Sequence, residues 1–386
     1  MVSLCNMKKC LKCLLPETYE TIEFDENGIC NICNSIDLKK KIDWEKRYKD
    51  LEEITNKYKG KFDYDCIIPF SGGKDSVFQL YFAIEKLKLK PLVIRFNHGF
   101  YRPKTLENTN NVLKKLGADF IDFTPNWKIV KEVMLESFNR KTDFCWHCHC
   151  GIFSYPVRMA IKLNIPLIIW GEPQAEMTAY FTYEEFEEEN EHTFNMFRNL
   201  GITAEDMHLM LSERGLKFDK RDLLPYTFPT LKEMNNVKIN PIYLGNYINW
   251  NYQKQVEIIR KELDWQGDEL EGVPQEANKS FSKIECFMQG SRDYIKYLKR
   301  GYTRISQNMS DELRKGNIST DEAKKMIELE GQKPESLKIL LEYLNISEEE
   351  FNKKVSSMIV HPNKPNFKTN KIAKKTEDFE KWYREK

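Results

Sequence analysis

Between residues 65 and 171, short apolar runs alternate with segments whose apolar residues recur at helical spacing. The apolar runs have the length of buried β-strands, and they cover 65–70, 92–97, 119–123 and 166–170. Amphipathic helices are predicted between them, over 75–88, 103–116, 128–138 and 153–163. Strands that alternate with helices in this way predict a doubly wound α/β fold, in which a parallel sheet carries helices on both faces.

The rest of the chain lacks this alternation. A charged segment over 38–58 predicts a helix ahead of the sheet, and the residues after 178 predict a mainly helical region. An acidic run at 184–191 is typical of a solvated surface, and the tail from 361 is rich in lysine. The sequence therefore predicts three regions, which are residues 1–60, 61–178 and 179–386.

The charge of the chain is balanced, with 60 Lys and Arg against 59 Asp and Glu in 386 residues. The net charge of +1 gives no reason to expect a nucleic acid or an anionic membrane as a partner. No apolar run approaches the roughly 18 residues that a membrane helix needs, and the first residues lack the apolar core of a signal peptide. We therefore expect a soluble, cytoplasmic protein.

A glycine-rich loop, residues 71–76 (SGGKDS), joins the first predicted strand of the sheet region to the helix that follows it. Glycines let backbone N–H groups approach a phosphate, and the helix N-terminus adds the positive end of its dipole. The two serine hydroxyls can donate to the same anion. Because the spacing of a Walker A loop is absent, the segment predicts a phosphate site of another kind.

Four cysteines near the N-terminus form the pattern C-x2-C-x16-C-x2-C. This spacing is typical of a structural zinc site with four thiolate ligands. Such a site leaves no open coordination position, so we expect it to staple a segment too short to fold alone, and not to catalyse. The predicted ligands are Cys10, Cys13, Cys30 and Cys33.

A second group, Cys145, Cys148 and Cys150, lies between the third predicted strand and the helix that leads to residue 166. Three interpretations remain open at this point. The thiols bind a second metal or an iron–sulfur cluster, one thiol reacts covalently, or the group lines a pocket without a metal. Cys286 would supply a further ligand if the fold brought it near.

The loop pattern S-G-G-x-D-S resembles the PP-loop of the ATP pyrophosphatase superfamily, which includes asparagine, GMP and NAD synthetases and tRNA thiolation enzymes. The resemblance implies cleavage of ATP between its α- and β-phosphates, with pyrophosphate bound at this loop. It places adenine and ribose near Asn97 and His98, although His98 fits an ordinary loop histidine equally well. Gly171 and Glu172 end a later strand on the same edge, which predicts a position near the α-phosphate or magnesium.

Longer stretches resemble one family, the N-acetyl sugar amidotransferases of surface-polysaccharide and flagellin-glycan pathways. These stretches are the four-cysteine module and residues 144–148, 169–172, 278–280, 284–294 and 299–302. The family is linked to acetamidino derivatives of sugars such as pseudaminic and legionaminic acid. The resemblance implies that the acetamido oxygen of a sugar attacks the α-phosphate of ATP and that ammonia then displaces AMP.

The resemblance also implies roles for individual residues. Asp75 and Glu172 are candidates for metal or water-mediated metal contacts, and Lys279 is counted with them as catalytic. Lys279, Arg292 and Lys299 are candidates for binding anionic groups of the sugar, and each of these three would otherwise be an ordinary solvated charge. ATP and pyrophosphate contacts fall to Ser71, Gly72, Gly73, Lys74, Asp75, Ser76, Asn97, His98 and Gly171. The implied cofactors are ATP, magnesium and zinc, with an iron–sulfur cluster or second metal as an open alternative.

Nothing in the chain resembles a glutaminase, because Val2 follows Met1 and no G-x-C-x-G elbow is present. We therefore expect ammonia to come from solution or from a separate HisH-like glutaminase, with a HisF-like subunit as a further partner.

Two other functions compete with amidine synthesis. A tRNA thiolation enzyme would share the loop and use the second cysteine group, but the balanced charge argues against an RNA partner. A zinc-containing scaffold that binds nucleotide without turnover would not need an intact S-G-G-x-D-S loop.

Overall fold

The computed structural model describes residues 7–19, 22–173, 175, 183 and 189–359. At its centre lies a sheet with the strands β1 (Cys66–Pro69), β2 (Pro91–Phe96), β3 (Asp119–Phe123), β4 (Leu167–Trp170) and β5 (Asn240–Tyr243). All neighbouring strands are parallel, and their order is β3-β2-β1-β4-β5. The first strand, β1, thus lies in the middle of the sheet, with β2 and β3 on one side of it and β4 and β5 on the other.

Both faces of the sheet are covered because its central strands are apolar along their length. In β1, Cys66 and Ile68 belong to the apolar cluster on one face, whereas Ile67 belongs to the cluster on the other. β2 divides in the same way, with Val93 on the first face and Ile94 on the second. Side chains that alternate at a period of two therefore supply two cores at once.

Helices surround the sheet and form most of the remaining structure. The first are α1 (Asn31–Lys39), α2 (Trp44–Asn56), α3 (Lys74–Tyr81), α4 (Pro103–Leu116), α5 (Trp127–Lys141) and α6 (Trp146–Leu163). Those that follow are α7 (Glu191–Phe197), α8 (Ala204–Glu213), α9 (Leu231–Val237), α10 (Tyr252–Leu263), α11 (Gln289–Arg300), α12 (Arg304–Lys315), α13 (Thr320–Ile327), α14 (Ser336–Leu344) and α15 (Glu348–Ser356). α3 continues as a π-helical turn over Phe82–Lys86, and 3-10 turns cover Lys220–Tyr226, Leu244–Asn246 and Gln275–Ala277.

The predicted fold class is confirmed: a doubly wound parallel sheet, an N-terminal four-cysteine group and a mainly helical C-terminal region. Two details differ from the prediction. α6 begins at Trp146 and not at 153, because cysteines and histidines in its first turns obscure the apolar periodicity. The sheet also extends beyond residue 178, because it includes β5. The sequence did not predict this strand, since β5 is a short edge strand in which Asn240 and Pro241 interrupt the apolar pattern.

The two terminal regions pack against the sheet region and against each other. Phe138 of α5 stacks on Phe351 of α15, with ring centroids 5.7 Å apart and planes inclined by 6°. The N-terminal module is bound to the end of α11, where Thr18 Oγ1 donates to Arg300 O over 2.6 Å. Arg300 Nη1 in turn donates to Thr18 O over 2.8 Å. The module and the C-terminal helices are therefore in direct contact with each other.

None of the helices in the described ranges combines the length and the apolarity needed to cross a lipid bilayer. Residues 184–188 of the acidic run and the whole lysine-rich tail from 361 lie outside the described residues.

Candidate active site

The phosphate loop, residues 71–76, lies where the strand order of the sheet reverses. β1 pairs with β2 on one side and with β4 on the other. The loop follows β1, and Gly171 and Glu172 follow β4, so both segments leave the carboxyl ends of adjacent strands. Open α/β sheets bind ligands in the crevice at this point.

Two serine hydroxyls hold the phosphate loop in shape. The N–H groups of Ser71 and Gly72 each donate to Ser76 Oγ over 3.1 Å. The N–H group of Gly73 donates to Ser71 Oγ over 3.3 Å, and the Ser76 hydroxyl donates to Gly73 O over 3.1 Å. The N–H groups of Ser71 and Gly72 thus converge on one oxygen at the N-terminus of α3, and convergence of backbone donors at a helix N-terminus is typical of phosphate sites.

Gly72 occupies a position that other residues cannot take without strain. Its φ is +81°, and a Cβ there would lie 2.5 Å from Thr109 Oγ1 and 3.1 Å from Thr105 O. Its carbonyl oxygen accepts a hydrogen bond of 3.1 Å from Trp265 Nε1. The loop is therefore fixed from outside by α4 and by the segment after α10.

Glu285 reaches the phosphate loop from the C-terminal region, although sequence analysis assigned it no role. A Cβ on Gly73 would lie 1.7 Å from Glu285 Oε1, so the carboxylate lies directly against the glycine. The backbone of Glu285 is held in turn, because the N–H group of Arg102 donates to its carbonyl over 3.1 Å. Its place between Ile284 and Cys286, in a stretch that carries the family resemblance, is the signal that could have identified it.

Lys74 lies among three carboxylates. Its Nζ is 2.5 Å from Asp75 Oδ2. Burial lowers the pKa of Lys74, but the carboxylates of Asp75, Glu172 and Glu285 outweigh burial and raise the pKa above its ordinary value. Lys74 therefore keeps its positive charge at neutral pH beside the loop that receives the phosphates.

The carboxylates fit the ligand preference of magnesium. Asp75 Oδ1 is buried and has no hydrogen-bond partner, so this oxygen is left to bind a cation. Gly171 packs closely on α3, since its Cβ would lie 3.6 Å from Asp75 O. Because Gly171 lies this close to Asp75, the next residue, Glu172, lies near Asp75 and Lys74 as well. Asp75 and Glu172 are therefore the residues that would hold the metal.

A cleft opens beside Lys74 and Glu172, between the N-terminal module and α12. Lys279 lines the cleft and forms an ion pair with Glu312. Two catalytic candidates, Glu172 and Lys279, therefore line the same cleft. The third, Asp75, is paired with Lys74 at its edge. The cleft is lined by Leu15, Tyr19, Ile32, Lys74, Glu172, Trp250, Tyr252, Lys279, Phe281, Ser282, Lys283, Arg304, Gln307, Asn308, Asp311, Arg314 and Lys315.

Asn97 and His98 lie after β2 and support the turn there. Asn97 Oδ1 accepts from the N–H group of Gly99 over 2.9 Å, and His98 Nδ1 accepts from the N–H group of Phe100 over 3.2 Å. Burial is the main cause that lowers the pKa of His98 to about 3, so its ring is neutral. Contact of these two residues with adenine and ribose stays a prediction.

The four N-terminal cysteines form a compact group. Cys10 Sγ lies 3.9 Å from Cys33 Sγ, and Cys13 Sγ lies 3.7 Å from Cys30 Sγ. Zinc–sulfur bonds of about 2.3 Å in a regular tetrahedron place sulfurs roughly 3.8 Å apart, whereas a disulfide would need about 2.05 Å. The N–H group of Cys30 also donates to Cys10 Sγ over 3.3 Å, as amides around metal thiolates do. The residues present therefore fit a four-thiolate metal site.

The second cysteine group is divided between two places. Cys150 belongs to the apolar core under α6, together with Trp146. Cys145 and Cys148 instead interact electrostatically with each other and with Cys286, which the fold does bring near. Within the described ranges, only the N-terminal cysteines form a group of metal-binding atoms that all lie within 4.8 Å of one another.

The thiols of this second place are protonated at neutral pH when no metal is bound. Burial raises the pKa of the Cys286 thiol to about 11, and burial likewise raises the pKa values of Cys145 and Cys148 above their ordinary range. A protonated thiol is a poor nucleophile. The covalent interpretation is therefore the weakest of the three that the sequence left open.

Two of the three cations predicted to bind the sugar lie away from the cleft. Arg292 interacts with Cys145 and Cys148 and does not line the cleft. Lys299 Nζ donates to Lys141 O over 2.9 Å, at the end of α5. Lys279, by contrast, lines the cleft together with Lys74. The further cations that face the cleft, which sequence analysis left without a role, are Lys283, Arg304, Arg314 and Lys315.

Comparison with known proteins found a similarity in the C-terminal part of the chain. Residues 281–382 match the family model described as LPS biosynthesis protein WbpG-like, C-terminal domain. The match includes Phe281, Ser282 and Lys283 of the cleft and much of the lysine-rich tail.

Two further proteins show similarity to the chain. An uncharacterised protein of Methanocaldococcus jannaschii is 32% identical over 165 residues, and the match covers 42% of this chain and 58% of that protein. The chain thus matches less than two thirds of that relative. Among solved structures, the U34-tRNA thiolase NcsA from Methanococcus maripaludis with its 4Fe-4S cluster is 13% identical and covers 89% of this chain and 96% of that one. Its TM-score of 0.26 is too low to support an argument about fold or activity.

We expect the full-length protein to bind about one zinc ion per chain and Cys13→Ser to lose it, because the remaining thiolates cannot close the tetrahedron. Elemental analysis by plasma mass spectrometry and thermal unfolding check this. Cys66→Ala is the control, since Cys66 is a buried cysteine of β1 outside the group. Iron in place of zinc, or a full metal content in Cys13→Ser, would contradict the assignment.

We expect Gly72→Ala to lower the free energy of unfolding by about 2–4 kcal/mol, because it combines a left-handed φ with two short contacts. The control is Gly60→Ala, where φ is +68° but nothing lies within 4 Å of the added Cβ. Urea unfolding of both variants isolates the steric part. Equal losses in the two variants would mean that the loop relaxes around the new methyl group.

Proposed function

We propose that this protein is an ATP-dependent amidotransferase that converts the N-acetyl group of a sugar into an acetamidino group and releases AMP and pyrophosphate. The observation that carries the proposal is the junction of the phosphate loop with the cation-lined cleft through Lys74 and Glu172. The match to a domain of lipopolysaccharide biosynthesis proteins supports a sugar substrate, since residues 281–382 include one wall of that cleft.

In the first step, the acetamido oxygen attacks the α-phosphate of ATP. A new P–O bond forms, and the bond to the leaving pyrophosphate breaks. The N–H groups of the phosphate loop bind the pyrophosphate, and Lys74 adds positive charge where negative charge develops. Magnesium held by Asp75 and Glu172 would neutralise phosphate oxygens.

In the second step, the lone pair of ammonia adds to the imidate carbon, the C–O bond to AMP breaks, and nitrogen loses one proton. The carboxylate of Glu285, which lies on Gly73, would accept that proton. Lys279, held by its ion pair with Glu312, would donate hydrogen bonds that orient the adenylate.

Ammonia, in this proposal, comes from a separate HisH-like glutaminase, with a HisF-like subunit that conducts it. The sequence itself carries no glutaminase motif. The reaction takes place in the cytoplasm, where ATP and activated sugars are available. A purified chain that hydrolyses glutamine unaided would contradict this part of the proposal.

The test is a reaction that contains ATP, magnesium, ammonium and a panel of N-acetyl sugars, both free and linked to UDP or CMP. We expect AMP, pyrophosphate and a sugar in which NH replaces the acetamido oxygen, all identified by mass spectrometry. Asp75→Asn should lower kcat about 100-fold or more, because it removes a charge that binds the phosphate-bound cation. Asp321→Asn, on the exposed surface of α13, is the matched control.

Two outcomes would replace this proposal by another. AMP that forms only when tRNA is added, with every sugar unchanged, would identify an RNA-modifying enzyme and make Cys145, Cys148 and Cys286 the group to study. Binding of ATP without AMP under any condition would identify a protein that uses the nucleotide as a regulatory or structural ligand.

A further inference from the structure

Two buried side chains of the cleft have hydrogen-bond donors without acceptors. Arg314 has a side chain that is 7% exposed, yet its Nε and Nη1 have no partner. Trp250 is 3% exposed, and its Nε1 has no partner either. Both residues line the cleft beside Lys74 and Glu172. Buried donors are rarely left unpaired in folded proteins, so two of them in one cleft indicate a ligand that supplies the acceptors.

The charge of the cleft indicates what kind of ligand this is. Its other cations are mostly neutralised by carboxylates, in the pairs Lys74–Asp75, Lys279–Glu312, Arg304–Asp293 and Lys315–Asp311. The carboxylate nearest to Arg314 is Asp311, which lies 4.0 Å from Nη2 and only 2.9 Å from Lys315 Nζ. Arg314 therefore has no carboxylate within hydrogen-bond distance in the part of the chain that the structure describes.

Lys283 adds a second cation to the same cleft. No ion pair of its ammonium occurs in the part of the chain that the structure describes. Its φ is +56°, a left-handed conformation that costs a residue with a side chain about 1–2 kcal/mol in other proteins. Strain of this kind is tolerated where it places a side chain for binding.

We propose that Arg314 and Lys283 bind the anionic group of the sugar substrate and that the indole N–H group of Trp250 donates to another oxygen of the same molecule. This inference rests on the proposed function, and it narrows the substrate to a sugar that carries an anionic group. The shared chemistry is a cluster of anionic oxygens, either the carboxylate of an acidic sugar or the diphosphate of a nucleotide-linked one. A planar guanidinium suits both because it forms paired hydrogen bonds to either group.

The N-terminal module forms the opposite wall of this anion site. Arg314 interacts with Cys13 and Cys33 of the four-cysteine group, and Leu15, Tyr19 and Ile32 line the cleft next to it. A metal with four thiolates carries a net negative charge, which attracts the guanidinium and fixes it at the wall. The metal group thus positions Arg314 without touching the substrate.

The test measures sugar binding by isothermal titration calorimetry with the zinc-loaded full chain, so that it does not depend on turnover. The variants are Arg314→Gln and Lys283→Gln, with Arg140→Gln on the exposed end of α5 as the control. We expect each cleft variant to weaken binding of the preferred acidic sugar about 10- to 100-fold, the loss of a charge-assisted hydrogen bond, while ATP binding stays within about twofold of wild type. Arg314→Lys should recover part of the loss, because it keeps the charge but not the fork.

The ligand panel separates the two sources of anionic oxygen. An N-acetylated nonulosonic acid is compared with its methyl ester, and a UDP-linked N-acetyl sugar is compared with the free sugar. If the carboxylate binds Arg314, esterification weakens wild type and leaves Arg314→Gln unchanged. If the diphosphate binds Arg314, removal of UDP weakens binding to wild type and leaves binding to Arg314→Gln unchanged.

The results also distinguish this inference from the proposed function. Sugar affinity that stays unchanged in Lys283→Gln and in an Arg314→Gln variant with full zinc content would overturn the anion site, even if the enzyme forms amidine. If Arg314→Gln loses zinc, Lys283→Gln decides alone. An acidic sugar that binds through Arg314 but gives no AMP in the wild type would overturn the amidotransferase and leave the anion site standing.

Discussion

The contact between Glu285 and Gly73 is the constraint on which the arrangement of the site depends. Because Gly73 has no side chain, a carboxylate from the C-terminal region can lie directly against the phosphate loop. A carboxylate beside a loop built for anions is unfavourable unless positive charge accompanies it, and Lys74 provides that charge. A divalent cation would add to it. The nucleotide site is therefore completed by a region outside the sheet.

One short segment, residues 279–286, connects the parts of the site. Lys279 and Lys283 face the cleft, Glu285 lies on the phosphate loop, and Cys286 lies near Cys148. The segment is held at the sheet edge, since Thr105 Oγ1 donates to the carbonyl of residue 284 over 3.2 Å. The N–H group of residue 287 donates to the carbonyl of residue 100 over 2.7 Å. A shift of this segment would therefore move the cations of the cleft and the loop carboxylate together. In the proposed reaction, such a shift would couple recognition of the sugar to the geometry at the phosphates.

Features that depend on local sequence could be predicted, and features that depend on contacts between distant segments could not. The phosphate loop and the four-cysteine group are local patterns, as are the apolar strands β1 to β4. By contrast, nothing near Gly73 or Arg314 in the sequence indicates that Glu285 and the zinc module lie against them. Cys150 shows a different limit: it lies two positions after Cys148 on α6, and residues at that spacing point to opposite sides of a helix. Proximity in sequence therefore suggested a group that helical geometry separates.

In the proposed reaction, the N-terminal module would connect a bound metal to the choice of substrate. Its apolar cluster consists largely of the four cysteines themselves, with Leu15, Ile22 and Ile32. A segment with so small a core cannot hold its shape by burial alone, so a metal bound by its thiolates would fix its conformation. Since Leu15 and Ile32 also line the cleft, that conformation would define one wall of the space proposed to receive the sugar. The phosphate loop, by contrast, is fixed by the sheet, α4 and Trp265. Under this proposal the fold separates two tasks: the sheet would position the reacting phosphates, and a metal that takes no part in the chemistry would shape the site that selects the substrate.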